Sequence, residues 1–526
     1  MITILRAGLL AQAGLVEATA VVGLEFVHFN GMTGELYFPE MTGQGAALFD
    51  FDGDGDLDTY LVQGAALGAV TDSGGHRDVL LRNDGVLGGA RWVDVSGASG
   101  LEARGYGMAV AVGDIDDDGS LDLFVGNYGS NELWRNRGDG TFQNVSSKLS
   151  ESSSRWTTSA AFLDYDRDGH EDLYVVNYVS YSVESAPVCY APSSMRDYCG
   201  PSGFSPQQDR LLRNLGDGSF EDVSAIGVEG VAGAGLGIAV LDIEGDGSDE
   251  VYVANDGQPN FLWRTGERWF DDALLTGVAV NRRGQPEASM GVAVADFDHD
   301  GDEDLFVTHL DGESNTLYVN DGDGLFDDRT VERGLAGPSL SRTGFGAVWV
   351  DLEHDGRLDL AVANGAVRLQ GPSVAAGDPY PLSQRNQVFS SRGVDFVEIV
   401  EGPFVVGAEV SRGLVAGDVD NDGDRDLLLT NSQGPARLYL SEGAGDGNWL
   451  GVALTSPSNQ RVRALDERGV VVARATSSGS YASATDSRVV FAGAQSVARV
   501  SISSRDRIIR LESPPSGRYL RIDPGQ

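Results

Sequence analysis

No apolar run in this chain approaches the about 18 residues that a membrane helix requires, because Gly, Asp and Asn interrupt every hydrophobic stretch. The chain is therefore expected not to span a membrane. Positive charge is scarce: 38 Lys and Arg face 79 Asp and Glu, a formal net charge of −41. Nucleic acid is an improbable partner on that balance, since its capture needs a basic footprint. Among 526 residues there are only two cysteines and six histidines. None of those histidines lies near the cysteine pair at metal-ligand spacing, which argues against a zinc site. Also absent are a G-x-S-x-G elbow, an H-E-x-x-H helix, a Walker loop and a dinucleotide fingerprint, so the common catalytic frameworks have no carrier.

Glycine is abundant, 71 residues, yet without a triplet period, and apolar residues still make up 41%. That balance fits a packed, turn-rich β protein. The length exceeds what one ordinary core needs and implies several domains or one closed repeat architecture. The acids recur in short clusters at matched offsets, which points to cation sites and away from disorder. Cys189 and Cys199 lie ten residues apart in CYAPSSMRDYC. An even pair closing a small loop is expected to be a disulfide, which places the chain in an oxidising, extracellular or periplasmic compartment. Residues 1–17 read as an N-terminal segment, a candidate remnant of a signal sequence, although Arg6 and the run broken by Gln12 support a secretory signal only weakly.

The strongest signal is a nine-residue loop present seven times, acidic at positions one, three, five and nine and Gly at six. Loop 1 is DFDGDGDLD, with Asp50, Asp52, Asp54 and Asp58. Loop 2 offers Asp114, Asp116, Asp118 and Asp122, and loop 3 offers Asp164, Asp166, Asp168 and Asp172. Loop 4 has Asp242, Glu244, Asp246 and Glu250, and loop 5 has Asp296, Asp298, Asp300 and Asp304. Loop 6 carries Asp351, Glu353, Asp355 and Asp359, and loop 7 carries Asp418, Asp420, Asp422 and Asp426. A hard cation such as Ca²⁺ wants six to eight oxygens at about 2.3–2.6 Å, and alternate residues of a tight loop can turn inward to supply them. The Gly permits the positive φ that carries the chain round an ion. Position seven varies freely and is expected to offer its backbone carbonyl. Up to seven calcium ions, one per loop, are the expectation.

The first half of an EF-hand loop looks the same, but the flanks reject that rival. Small and apolar residues alternate before each loop (GQGAALF, YGMAVAVG, GFGAVWV), β-branched runs follow it (LDLFV, DEVYVA), and the Glu expected at position twelve is absent. Each loop should therefore join two strands. A second hairpin follows, as in LWRNRGDGTF and LYVNDGDGLF. Four strands per unit, repeated seven times, predict an all-β, seven-bladed β-propeller over residues 18–446; a linear β-solenoid is the alternative, although its repeats are usually far shorter. Residues 447–526 alternate short β stretches (VRALD, VVVARA, RVVFAG, ARVSIS, YLRI) with polar turns, which suggests a small C-terminal β domain.

The repeats resemble the FG-GAP/VCBS repeats of integrin α-subunit propellers, whose DxDxDG loop binds calcium. The naming pair survives as Phe345-Gly346 and is altered in Tyr106-Gly107, Leu236-Gly237 and Met290-Gly291. Phrases such as LYFPEMTGQGAALFDFDGDGDLD, DYCGPSGF and VANDGQPNFLWR look like the cartilage acidic protein 1-like family, whose propeller is followed by an ASPIC/UnbV domain. Asn448-Trp449-Leu450 resembles the opening of that domain, whereas SPSNQRVRALDERG departs from its usual Gly-Ile-Gly-Ala-like stretch.

The expected function is a calcium-binding extracellular scaffold that holds a protein or glycan ligand on the face where longer loops gather. Candidate loops are residues 180–208, 371–384 and 71–77, the first with Tyr181, Tyr190, Tyr198 and Phe204, next to Tyr178. Most loops could equally be structural clips. The rival class is a calcium-dependent enzyme working in the propeller channel, with His28 beside Asn30 as the most credible catalytic histidine, while His170, His299 and His354 sit at variable loop positions and His309 lies outside the loops.

Overall fold

The computed structural model describes residues 14–68, 75–85, 90–150, 154–443, 449–455, 460–466, 469–492, 497–504 and 507–522. Residues 71–74 of one candidate loop, the expected 446/447 boundary and Asn448 fall outside them. No helix among these residues is long and apolar enough to cross a membrane.

Alternation of small and branched apolar residues makes each loop the link of an antiparallel pair. Val292–Ala295 pairs with Asp304–Val307 across loop 5, and the other loops join strands in the same way. Two outer strands complete a four-stranded unit, as in Ala46–Phe49, Asp58–Leu61, Val79–Asn83 and Trp92–Asp94. The described residues hold five separate four-stranded sheets of this kind and one eight-stranded sheet that joins two more such units where Arg155 pairs with Gly129, an all-β arrangement consistent with a β-propeller. Their first strands are Ala46–Phe49, Gly107–Gly113, Arg155–Leu163, Gly235–Leu241, Val292–Ala295, Gly344–Val350 and Ser411–Gly417. Each first strand packs on that of the next unit, and the last returns to the first, closing a ring.

The period of two explains why these strands are buried on both sides. In Ala46–Phe49, Ala47 and Phe49 face Val110 and Val112 of unit 2, while Ala46 and Leu48 face Val415 of unit 7. Similar apolar layers fill every junction between neighbouring units. Fully burying such a Val, Leu or Phe contributes roughly 1.5–3 kcal/mol.

Two connections were not legible locally. Leu15–Glu17, placed by the sequence in the N-terminal segment, is the fourth strand of unit 7 and pairs with Arg437–Ser441. The C-terminal domain, in turn, enters the ring. It contains a three-stranded sheet (Trp449–Leu454 between Val489–Ala492 and Arg518–Ile522) and a four-stranded one built on Gln460–Asp466, closed on a shared core that includes Val452, Val462, Phe491 and Ile502. Residues 477–486 leave this domain and run along the first strands. Val292 and Val110 donate to the carbonyls of Ser480 and Ala482, Leu48 to that of Ala484, and Ala482 receives the Ser159 hydroxyl as acceptor for its N–H. Ser480 Oγ reaches Leu414 O, and Tyr481 stands edge-on to Phe345. Gly45 makes room for this segment: a Cβ there would lie 1.7 Å from Ala482 O. These residues line the axis of the ring, beside a cavity of about 190 Å³ walled by the first strands at Val240, Ala293, Val348 and Ala416.

Candidate metal loops and the loop face

All seven loops share one hydrogen-bond scaffold. The carboxylate at position one accepts the N–H of the Gly at position six, at 2.8 Å in loop 6 and 3.2 Å in loops 3 and 5. The Gly at that position has φ between 80° and 107° in every loop, a conformation costly for any residue with a Cβ. Position five accepts the N–H of position seven, for example Asp56 N to Asp54 Oδ1 at 2.9 Å. Position nine is the buried anchor: Asp122 accepts Ile115 N at 2.8 Å and, across the sheet, Asn136 N at 2.6 Å. Burial pushes the carboxyls of Asp58, Asp122, Asp172 and, despite Arg264 beside it, Glu250 up to about 8, and that of Asp304 to about 9.

Five loops bring three carboxylates to one point, with oxygens within 4.8 Å of one another. The groups are Asp50, Asp52 and Asp58; Asp114, Asp116 and Asp122; Asp164, Asp166 and Asp172; Asp296, Asp298 and Asp300; and Asp418, Asp420 and Asp426. Asp116 Oδ1, Asp296 Oδ1, Asp298 Oδ1 and Asp420 Oδ1 are buried and accept no hydrogen bond. Such orphaned acceptors are costly, and a hard divalent cation satisfies them, so this donor set fits calcium. Among the described residues, loops 4 and 6 form no such group and hold no orphaned oxygen. Both carry Glu at position three. Arg264 binds Glu244 at 3.0 Å and Glu250 at 3.2 Å, and Arg392 binds Glu353 at 3.2 Å.

Position seven does more than offer a carbonyl. The side chain at position four of one loop reaches position seven of the next: His170 Nδ1 meets Asp117 Oδ2 at 2.5 Å, and Arg167 donates to Ser248 Oγ at 2.6 Å. His354 Nε2 lies 3.1 Å from Asp424 Oδ1, and Asn421 donates to Asp56 Oδ1 at 2.7 Å across the closure of the ring. Pairing position four with position seven one repeat on was the signal available in the sequence. Arginines of the C-terminal domain also dock on this side. Arg474 joins Asp249 (2.8 Å) to Glu303 (2.9 Å), Arg521 reaches Asp50 (3.3 Å), and Tyr519 donates to Asp418 Oδ2 at 2.8 Å.

On the opposite, loop-rich side, Cys189 and Cys199 are disulfide-bonded, which fits an oxidising compartment. The insertion is less free than expected. Tyr178 and Tyr198 are buried, and Tyr181 and Phe204 pack on Phe38, so only Tyr190, 66% exposed, is presented to solvent. Tyr198 donates to Glu40 at 3.1 Å, Arg196 binds Glu35 at 2.7 Å, and Asp197 accepts Leu369 N at 3.1 Å, clasping three long connections together. His28 is buried, held down to about 3 by desolvation, and accepts Gln433 N; His309 is buried, held down to about 4, beside Ser289 and Thr316.

A family model described as FG-GAP-like repeat matches residues 114–175, 198–253, 242–307 and 296–362. Cartilage acidic protein 1 of Mus musculus is 26% identical over 355 residues, 62% of this chain and 48% of that protein. The Homo sapiens protein of that name is 24% identical over 351 residues, 62% of this chain and 47% of its own. The chain carries FG-GAP-like repeats and is similar to cartilage acidic protein 1. It spans about half the length of these curated relatives. Among solved structures, a lectin of Agrocybe aegerita that recognises non-reducing terminal N-acetylglucosamine matches with TM-score 0.37 and 16% identity, over 70% of this chain and 80% of the lectin. BBS1N in complex with ARL6DN matches with TM-score 0.40 and 11% identity, over 77% of this chain and 95% of that one.

Proposed function

We propose that this FG-GAP protein is an extracellular, calcium-stabilised, seven-bladed β-propeller with an ASPIC/UnbV-like β domain, residues 447–526, and that it presents its loop-rich face to a protein or glycan partner. The observation that carries the metal reading is the set of five three-carboxylate groups with buried oxygens that accept nothing. Five ions, one in each all-Asp loop, are the count this geometry favours over seven. At extracellular calcium of about 1 mM and a dissociation constant of about 10⁻⁴ M, each ion stabilises the fold by about 1.4 kcal/mol. The disulfide and the strongly acidic surface suit an extracellular setting. Metal analysis after equilibrium dialysis tests the reading: about five calcium ions per chain are expected, and none retained at millimolar calcium would refute it. Presentation of a partner is tested separately, by capture in calcium with Tyr190→Ala and by proteolytic nicking of the exposed loop, either of which should weaken it if that face binds.

A further inference from the structure

The disulfide-bonded flap roofs a cavity of about 480 Å³ at the mouth of the ring, lined below by Met41, Leu236 and Met290 and at the side by Tyr178, Tyr198 and Asp256. Asp256 follows the second strand of unit 4 and is fixed through its N–H to Ala234 O at 2.8 Å. Its Oδ2 accepts the Tyr178 hydroxyl at 2.5 Å, while its other oxygen has no hydrogen-bond donor among the described residues. Glu313 adds a second negative charge to the same field. One basic side chain lines the cavity, Arg368; it is exposed and favours the Asp256 carboxylate through its charge, with no ion pair between them among the described residues. The Phe345 ring already carries the Arg412 guanidinium at 4.0 Å, so the Asp256 end is where positive charge is still wanted.

We infer that this cavity binds an ammonium group on a short aliphatic stem, as presented by a lysine side chain of a protein partner. The charge sits on the open oxygen of Asp256, beside the oxygen that accepts the Tyr178 hydroxyl. The methylene stem lies on Met41, Leu236 and Met290, an apolar floor that desolvates it favourably. A neutral hydroxylated ligand would leave the carboxylate uncompensated, and an anion would be repelled by it and by the net charge of −41. This inference rests on the loop-face reading above but fails separately from it.

Met41 and Met290 are natural reporters, two of only six methionines. The full chain, methyl-labelled at methionine and held in calcium, is titrated with Nα-acetyl-lysine methylamide and with its neutral Nε-acetyl derivative. The Met41 and Met290 signals should shift and saturate with the ammonium probe alone. Asp256→Asn, which keeps an acceptor for Tyr178, should weaken binding about tenfold, and Arg368→Ala, which removes the rival cation, should tighten it about threefold. Equal shifts with the acetylated probe, or an Asp256→Asn chain that binds as well as the parent, overturn the proposal. Partner capture that ignores Asp256→Asn keeps the loop face as a binding surface and discards this occupant.

Discussion

Loops 7 and 4 share the hydrogen-bond scaffold and Gly at position six, but loop 4 carries Glu where loop 7 has Asp at positions three and nine, and loop 6 carries it at position three alone. In loop 7, Asp420 is too short to leave the loop, so its carboxylate stays against Asp418 and Asp426 with a buried oxygen unmatched. In loop 4, Glu244 reaches outward to Arg264, and the same guanidinium holds Glu250. Loop 6 repeats the second solution with Glu353, Arg392 and the Ser390 hydroxyl, which donates to Glu353 at 3.1 Å. One arrangement keeps three carboxylates clustered at one point, the other draws the position-three carboxylate away to a covalently attached cation. An arginine alone does not decide the outcome: Arg135 contacts Asp116 at 2.5 Å and Arg213 contacts Asp166 at 2.8 Å, yet loops 2 and 3 keep their three-carboxylate groups. Side-chain length at position three is the variable that separates the two classes.

The broadest way to break the comparison is to remove calcium. Five ions at about 1.4 kcal/mol each imply a loss of about 7 kcal/mol, and thermal unfolding in chelator should fall by about 10 °C relative to millimolar calcium. An unchanged midpoint would sink the distinction between the loops altogether. Within the metal-holding class, Asp420→Asn should cost one bound ion and about 1.4 kcal/mol, read by metal analysis beside denaturant unfolding. Retention of every ion by that variant would show that loop 7 is closed by protein alone.

The link from loop 6 to loop 7 gives a pH test. Asp424 beside His354 raises the imidazole above its ordinary value of 6.5 despite burial. A histidine raised in the folded state contributes stability that is full below 6.5 and is lost as pH rises through the higher folded value. Comparing the parent with His354→Gln should show a stability difference that is largest below pH 6.5 and shrinks as pH rises above it. A gap that widens with pH contradicts the assigned ion pair. The smallest effect is expected at Glu353→Gln: no ion lost and a change within about 0.5 kcal/mol, because that pair is partly solvated. Loss of an ion there would place loop 6 in the other class.

The sequence made the loops and their flanking strands legible because both obey local rules, a fixed acidic spacing and a period of two. The expected strands over VRALD, VVVARA and YLRI fall within Gln460–Asp466, Gly469–Ala475 and Arg518–Ile522. What escaped was long-range. Leu15–Glu17 meets Arg437–Ser441 across more than 400 positions, and Ala482 meets Ser159 across 323. No local periodicity encodes such partners. The position-four to position-seven pairs escaped for a different reason: position seven was read one loop at a time, and its apparent freedom hid a dependence on the preceding repeat. The aromatic content of the insertion was open between recognition and packing, and the structure buries Tyr198 and packs Tyr181 and Phe204 on Phe38 while leaving Tyr190 exposed.

The strand Leu15–Glu17 makes the order of assembly asymmetric. Its partner is synthesised last among the repeats, so the nascent array must stay open, with an unpaired edge, until nearly the whole chain has left the ribosome. The segment that lines the axis emerges later still, about forty residues beyond Arg437–Ser441. The circle can therefore close only once Arg437–Ser441 has been made, and residues 477–486 take their place along the first strands after that.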